Sequence, residues 1–315
     1  MIVSIQNLTK QFGKVTAVDG LNLDIEQGEI FGLVGPDGAG KTTAIRLMLG
    51  ILRPDSGTGK IGAYDLRKEA ESISTLTGYV SQRFSLYGEL TVEENLALFA
   101  DLYRVSATDL LPRVQRLMQF SRLDPFRDRL AANLSGGMKQ KLALSCALIH
   151  TPTILLLDEP TTGVDPLSRR DLWRLLFDLW QDGVTIVVST PYMDEAERCS
   201  RVGFLSHGKL IALGRPDDLR DRFQGVIYEV VADEKFGAPE KLFVFPFVRN
   251  VNLFGEGLHV IVDEEAAESA EAALRDAPIG VRSIRRVPPT MEDVFFQLTQ
   301  PSPSGRGRAS DSERG

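Results

Sequence analysis

The stretch Ile30-Phe31-Gly32-Leu33-Val34-Gly35-Pro36-Asp37-Gly38-Ala39-Gly40-Lys41-Thr42 decides how this chain is read. Ile30 to Val34 is a short apolar run flanked by glycine, which suits a fully buried strand. Gly35 to Thr42 matches G-x-x-x-x-G-K-T, a phosphate-binding loop. From Lys41 to Leu52, the apolar residues Ile45, Leu47, Met48, Leu49 and Leu52 fit a helix leaving that loop. Strand, glycine loop and helix in this order are the context such a loop requires. The glycines let backbone N–H groups face phosphate oxygens, and the helix adds its positive N-terminal end. Lys41 brings a point charge to the same oxygens, and the Thr42 hydroxyl suits magnesium. A bare glycine-rich turn is the alternative; the position between a buried strand and a helix favours the phosphate loop.

Outward from the loop, Ile154-Leu155-Leu156-Leu157-Asp158-Glu159 is another buried strand, ending in two carboxylates. Acidic groups there are costly to bury unless a cation or a proton uses them. Asp158 is placed to hold magnesium through water, and Glu159 to polarise an attacking water as a general base. Val184 to Ser189 is a further buried run, with helical stretches between, which is the alternation of a parallel α/β sheet. Ile2 to Ile5 and Leu21 to Ile25 alternate as half-buried strands do, and Gly78 to Ser81 reads as another strand end.

Thr91 to Tyr103 opens with a capping box, Thr91 with Glu94, and continues with Val92, Leu96, Phe99 and Tyr103 on one helical face. Residues from about Leu90 to Asn133 read as a mostly helical lobe. Around Gly214 to Asp218 the composition turns to Gly, Pro and acidic residues, so a domain over 1–215 and a second over 216–300 are expected. In the second, Val226 to Val231, Leu242 to Val248 and Leu258 to Val262 read as strands, and Glu264 to Leu274 as an alanine-rich helix. That is a small α+β domain. Residues 301–315, rich in Ser, Gly, Pro and Arg, are expected to be disordered.

The 315 residues are 43% hydrophobic, enough for a sizeable core. A net charge of -7, from 36 basic and 43 acidic side chains, argues against nucleic-acid binding, which needs a basic patch. Cys146 and Cys199 lack metal-ligand spacing and read as reduced, packed thiols of a cytosolic protein. The N-terminus lacks the apolar run of a signal peptide. No apolar stretch approaches the roughly 20 residues of a spanning helix, so any membrane role is expected to come through a partner.

Leu134-Ser135-Gly136-Gly137-Met138-Lys139-Gln140 reads on local grounds either as an ordinary capped helix or as a second anion site: Ser135 is a good N-cap, and two glycines leave backbone amides uncovered at a helix start. With this segment lying between the phosphate loop and the Asp-Glu strand, the chain resembles the nucleotide-binding subunits of ABC transporters over roughly its first two thirds. LSGGMKQ is similar to their signature motif. The resemblance implies a P-loop α/β fold with a parallel-sheet core and a helical subdomain. It implies ATP and Mg²⁺ as ligands, with Gly35, Pro36, Asp37, Gly38, Ala39, Gly40, Lys41, Thr42 and Thr43 on the nucleotide. It also implies a head-to-tail pair of such domains, in which Ser135, Gly136 and Gly137 serve the γ-phosphate held by the partner.

Other positions follow from the resemblance. Phe12 stands where the family stacks an aromatic ring on adenine, and Gln82 where its Q-loop glutamine senses magnesium and the γ-phosphate. Thr42, Gln82 and Asp158 are the expected metal-side residues, and Glu159 with Gln82 the catalytic ones. Thr161 to Asp165 resembles the D-loop. One departure stands out: after Val184 to Ser189 the family usually reads Thr-His, and here Thr190-Pro191 follows. Proline offers no side-chain donor and no N–H, and His150 and His207 lie elsewhere in the sequence.

Pro288-Pro289-Thr290-Met291-Glu292-Asp293-Val294-Phe295 resembles the ending of drug- and antibiotic-resistance exporter ATPases, those that pair with ABC-2-type permeases. The implied function is an ATP-hydrolysing export subunit on the cytoplasmic face of the cell membrane, touching the membrane only through a permease. It would act as a homodimer or beside a second ATPase. A regulatory subunit that closes on ATP but hardly hydrolyses it is the alternative. A soluble relative acting on DNA or ribosomes is disfavoured by the single ATPase domain and the acidic charge.

Overall fold

The chain opens with an antiparallel hairpin, β1 (Val3–Phe12) and β2 (Val15–Ile25), in the computed structural model, which describes residues 1–83, 85–234 and 236–299. The expectation for 301–315 falls outside these residues. β3 (Ile30–Val34) is buried throughout and runs into the glycine loop, from which α1 (Lys41–Met48) leaves. The helix stops short of Leu52 because Leu49 caps it and Gly50 (φ 68) is left-handed. β4 (Ser56–Ile61) returns to pair with β1, and β5 (Tyr64–Asp65) with β4, closing a four-stranded sheet ordered β2-β1-β4-β5. α2 (Ala70–Leu76) leads into β6 (Thr77–Val80).

The lobe that follows holds α3 (Val92–Leu102), α4 (Ala107–Ser121) and α5 (Gly136–Leu148). The capping box at Thr91 is present: Glu94 N donates to Thr91 Oγ1 at 3.1 Å, and Thr91 N to Glu94 Oε2 at 2.8 Å. The chain then returns to the core as β7 (Ile154–Asp158), α6 (Pro166–Gln181), β8 (Thr185–Thr190), α7 (Met193–Ala196), β9 (Arg201–Ser206) and β10 (Lys209–Gly214). The core sheet is ordered β10-β9-β3-β8-β7-β6, parallel except for the antiparallel edge strand β10. β7 and β8, like β3, are buried along their whole length, as expected of parallel strands covered on both faces. Cys146 and Cys199 are buried free thiols, and burial pushes both pKa values up.

The register places the carboxyl ends of the central strands side by side: Val34 beside Thr190 and Asp158 beside Ser189. Such strand ends are where open α/β sheets bind ligands.

Met1–Pro216 and the chain from Asp217 onward form separate compact units. The second unit contains most of α8 (Pro216–Arg220), then β11 (Val226–Ala232), α9 (Ala238–Leu242), β12 (Val248–Phe254), β13 (Gly257–Val262), α10 (Ala267–Arg275), β14 (Val281–Val287) and α11 (Met291–Thr299). Its antiparallel sheet is ordered β12-β13-β11-β14. The strand expected at Leu242–Val248 is not formed. Pro239 lies in the first turn of a helix that ends at Leu242, and Pro246 cannot donate to a ladder. Phe245 N instead turns back to Leu242 O at 3.1 Å, and the strand begins only at Val248. Glu264 to Ala266 is a 3₁₀ turn ahead of α10 rather than part of it. β14 was not anticipated at all.

Candidate functional site

The phosphate loop is shaped by contacts that admit only glycine. A Cβ on Gly35 would lie 2.2 Å from Leu205 O, and one on Gly40 would lie 2.2 Å from Ala17 O. Gly35 N donates to Thr190 O at 3.2 Å, tying the loop to the end of β8. Pro36, Asp37 and Gly38 are exposed at its tip, Ala39 is buried beneath, and Thr42 and Thr43 are half-buried on the first turn of α1. Lys41 is buried: its Nζ donates to Gly35 O at 2.8 Å and Pro36 O at 2.9 Å, and lies 3.0 Å from Glu159 Oε1.

Asp158 is wholly buried, and two hydroxyls converge on its Oδ1: Ser189 Oγ donates at 2.8 Å and Thr42 Oγ1 at 3.0 Å. The Tyr79 hydroxyl stands 3.5 Å from Oδ2; burial, with the Asp158 charge, pushes its pKa up. A carboxylate and a hydroxyl this close form a hard oxygen pair of the kind that holds Mg²⁺ beside phosphate oxygens. The donor set therefore fits the metal, and the open glycine cradle fits a phosphate chain.

Glu159 follows with left-handed backbone (φ 48), unusual for a residue with a Cβ. The strain is held by β8, since Glu159 N donates to Ser189 Oγ at 3.0 Å and to Ser189 O at 3.1 Å. Its Oε2 accepts from Gln82 Nε2 at 2.8 Å and from Thr162 Oγ1 at 3.3 Å. Gln82 thus faces the carboxylate through its amide donor. Lys41, Thr42, Gln82, Asp158 and Glu159 are brought together.

Phe12 and the signature are not part of that cluster. Phe12 ends β1, is 49% exposed, and has Lys10 Nζ 5.5 Å from its ring centroid, so it is not a core residue. Ser135 is exposed and caps α5, accepting from Met138 N at 3.3 Å. Gly136 has open space where a Cβ would be. At Gly137 that Cβ would lie 2.4 Å from Ser168 Oγ, so this glycine also serves the packing of α5 on α6. Asp165, in the segment that resembles a D-loop, caps α6; the backbone N–H of Ser168 holds its carboxyl below the usual range.

Several contributors escaped the sequence. Ser189 bonds the Asp158 carboxylate, and Thr162, inside the segment read as a D-loop, bonds that of Glu159. Thr190, just ahead of Pro191, donates to Glu195 Oε2 at 2.6 Å. That buried carboxylate also accepts from Arg169 Nε at 2.6 Å and Trp173 Nε1 at 3.1 Å, locking the segment after β8 to α6. A cleft of about 310 Å³ lies over the loop, with Val15, Thr16 and Ala17 of β2 on its wall and Glu159 and His207 also lining it. Only the sheet order and the hairpins bring these residues here.

Residues 18–162 match the ABC transporter family, and residues 214–299 match the family described as ATP-binding protein DrrA1-3-like, C-terminal domain. The chain is 38% identical over 313 residues to the Probable multidrug ABC transporter ATP-binding protein YbhF of Escherichia coli (strain K12). That alignment takes in 96% of this chain and 54% of the relative, so the chain spans about half that protein's length. It is 37% identical over 300 residues to the Nod factor export ATP-binding protein I of Cupriavidus metallidurans, covering 95% of this chain and 97% of that one. A solved ATP-binding cassette, a dimer in a post-hydrolysis state bound to ADP and Pi, matches with a TM-score of 0.62 at 28% identity. That match covers 68% of this chain and 98% of the cassette. Family matches in both units, near-complete coverage of a relative and this site together place the chain among the ATP-binding proteins of ABC transporters.

Proposed function

We propose that this chain binds ATP with Mg²⁺ and hydrolyses it to drive export through a separate membrane permease. The observation that carries the reading is the convergence of Lys41, Gln82, Asp158 and Glu159 at the carboxyl ends of the central strands. Gly35 to Thr43 would take the phosphates. Lys41 would exchange Gly35 O and Pro36 O for phosphate oxygens, and Thr42 with Asp158, assisted by Gln82, would hold the metal. Bound there, Mg²⁺ neutralises charge on the phosphates. Glu159 would accept the proton of the attacking water, held in place by Gln82 and Thr162.

Two such domains, identical or not, would close head to tail, so that Ser135, Gly136 and Gly137 complete the partner's site and Phe12 stacks on the base. A similar cassette that is dimeric and bound to ADP and Pi supports pairing of two such domains. Export as the direction, and an ABC-2-type permease as the partner, rest on the DrrA-like second domain and on relatives named for multidrug and Nod factor export. Among the described residues no helix is long and apolar enough to cross a membrane, which fits work on the cytoplasmic face through a partner. Phosphate release from Mg-ATP by the purified chain, with and without EDTA, is the test. Release unchanged by EDTA, or none even with the co-expressed permease, defeats the proposal.

A further inference from the structure

We infer that His207 is a nucleotide-contacting residue whose imidazole meets the ribose and α-phosphate, a role that rests on the nucleotide reading above. β9 and β10 are joined through Ser206-His207-Gly208-Lys209, in which His207 (φ 47) and Gly208 (φ 79) are both left-handed. Positive φ at both central positions is the type I′ hairpin turn, whose favoured pair is Asn-Gly. The glycine is explained by the fold: a Cβ on Gly208 would lie 3.1 Å from both Thr16 O and Ala17 O. The histidine is tolerated on this backbone but not demanded by it, since asparagine, aspartate or glycine suits the same conformation.

The turn is fixed to the site. Gly208 N donates to Ala39 O of the phosphate loop at 3.0 Å, and Gly208 O accepts from Asp19 N at 2.8 Å. These bonds seat the turn between β2 and the loop, and the exposed residue His207 lines the same cleft as Thr16, Ala17 and Thr43. Lys41, Thr42 and Glu159 mark the γ-phosphate end of that cleft. Phe12, register partner of Val15 across the β1–β2 turn, marks the base end. The wall between them carries Thr16, Ala17 and His207, where the sugar and first phosphate pass. Both are hydrogen-bond acceptors, and an imidazole offers an N–H donor in either protonation state.

The experiment is calorimetric titration with ADP and with a non-hydrolysable ATP analogue, in magnesium, of wild type, His207→Gly, His207→Asn and Lys41→Ala. Both replacements at 207 suit the turn, and thermal unfolding without nucleotide checks that the fold is kept. Loss of the contact is expected to weaken both nucleotides alike by about fivefold, about 1 kcal/mol, because ribose and α-phosphate are common to them. Unchanged affinity in the two His207 variants overturns the role. So does weakening by glycine alone, which would make the effect one of backbone, and so does weakening of the ATP analogue alone, which would put the ring at the γ-phosphate. A wild type that binds neither nucleotide, indistinguishable from Lys41→Ala, overturns the nucleotide reading itself.

Discussion

Lys41 Nζ lies 3.0 Å from Glu159 Oε1, with the two side chains only 3% and 6% exposed. The amine proposed for phosphate and the carboxylate proposed as the base therefore hold one another. Phosphate arriving at the loop would compete with Glu159 for Lys41 and leave that carboxylate oxygen free for water. Gln82 and Thr162 bind the other oxygen, so Glu159 stays oriented when the pair opens.

Replacing Glu159 with Gln keeps the shape and one acceptor but removes the charge competing for Lys41. Glu159→Gln is expected to bind Mg-ATP at least as tightly as wild type while turnover falls by about 10²–10⁴-fold. Calorimetry and phosphate release measure the two, and gel filtration with ATP should show a trapped dimer. A variant hydrolysing at the normal rate removes Glu159 from the role of base.

Lys41→Met tests the same pair from the other side. Removing one partner of a buried ion pair strands the other charge, typically at about 3–5 kcal/mol. The variant is expected to melt earlier and to bind ATP at least about tenfold more weakly, about 1.4 kcal/mol. Adding Glu159→Gln should restore most of the stability and none of the affinity. Strictly additive stability losses in the cycle would show the two side chains to be uncoupled.

In the second unit, Asp293 near the start of α11 accepts from His259 Nδ1 on β13 at 3.0 and 3.1 Å, and from Thr290 N at 2.9 Å. Burial raises the Asp293 pKa, but the bonds from His259 and Thr290 outweigh it and hold the carboxyl below its usual range. A depressed folded pKa means stability that is fully present above the unfolded value, about 3.9, and is lost as pH falls through the folded one. Asp293→Asn is expected to cost about 1.5–3 kcal/mol at neutral pH, the scale of hydrogen bonds to a charged group, and to flatten that acid loss. Hydrogen exchange of peptides spanning β13 and α11, followed against pH, reads both; protection equal to wild type at neutral pH would make the pair dispensable.

This pair also gives the Pro-Pro-Thr-Met-Glu-Asp segment its physical meaning: Thr290 and Asp293 cap a helix, and His259 bolts that cap to a sheet. Composition could find the cap but not the bolt, since His259 is far away in sequence. The same limit explains the rest. β3, β7 and β8 were legible because strands buried on both faces are continuous apolar runs. Ser189 and His207 were not, because only the parallel register and the β9–β10 hairpin carry them to the loop. β14 hid behind Arg282, Arg285 and Arg286, charges suited to an edge strand. Gly137 read simply as an uncovered amide, whereas the approach of Ser168 shows a packing demand that no local pattern carries.

Pro191 follows a residue pinned from two sides: Thr190 O accepts from Gly35 N at 3.2 Å, and Thr190 Oγ1 donates to Glu195 at 2.6 Å. Position 191 is therefore held next to the start of the phosphate loop, and it is the position at which the family resemblance implies a histidine. A proline ring can donate nothing to the γ-phosphate. Ground-state binding should hardly suffer, because Lys41 and the loop amides are the groups proposed to hold the phosphates. The missing donor should matter mainly as charge develops in the transition state, so it should appear in kcat rather than in affinity. Deleting one donor to a developing oxyanion costs about 2.7–4 kcal/mol elsewhere, which sets about 10²–10³-fold as the ceiling on what histidine could restore. Pro191→His is expected to raise turnover at least several-fold at unchanged ATP affinity, measured by phosphate release with and without the permease. The Thr190–Glu195 bond uses neither the proline ring nor its nitrogen, so the segment should keep its place. A histidine variant no faster than wild type would make Pro191 a turn residue, with Glu159 and the metal-side groups sufficient for hydrolysis.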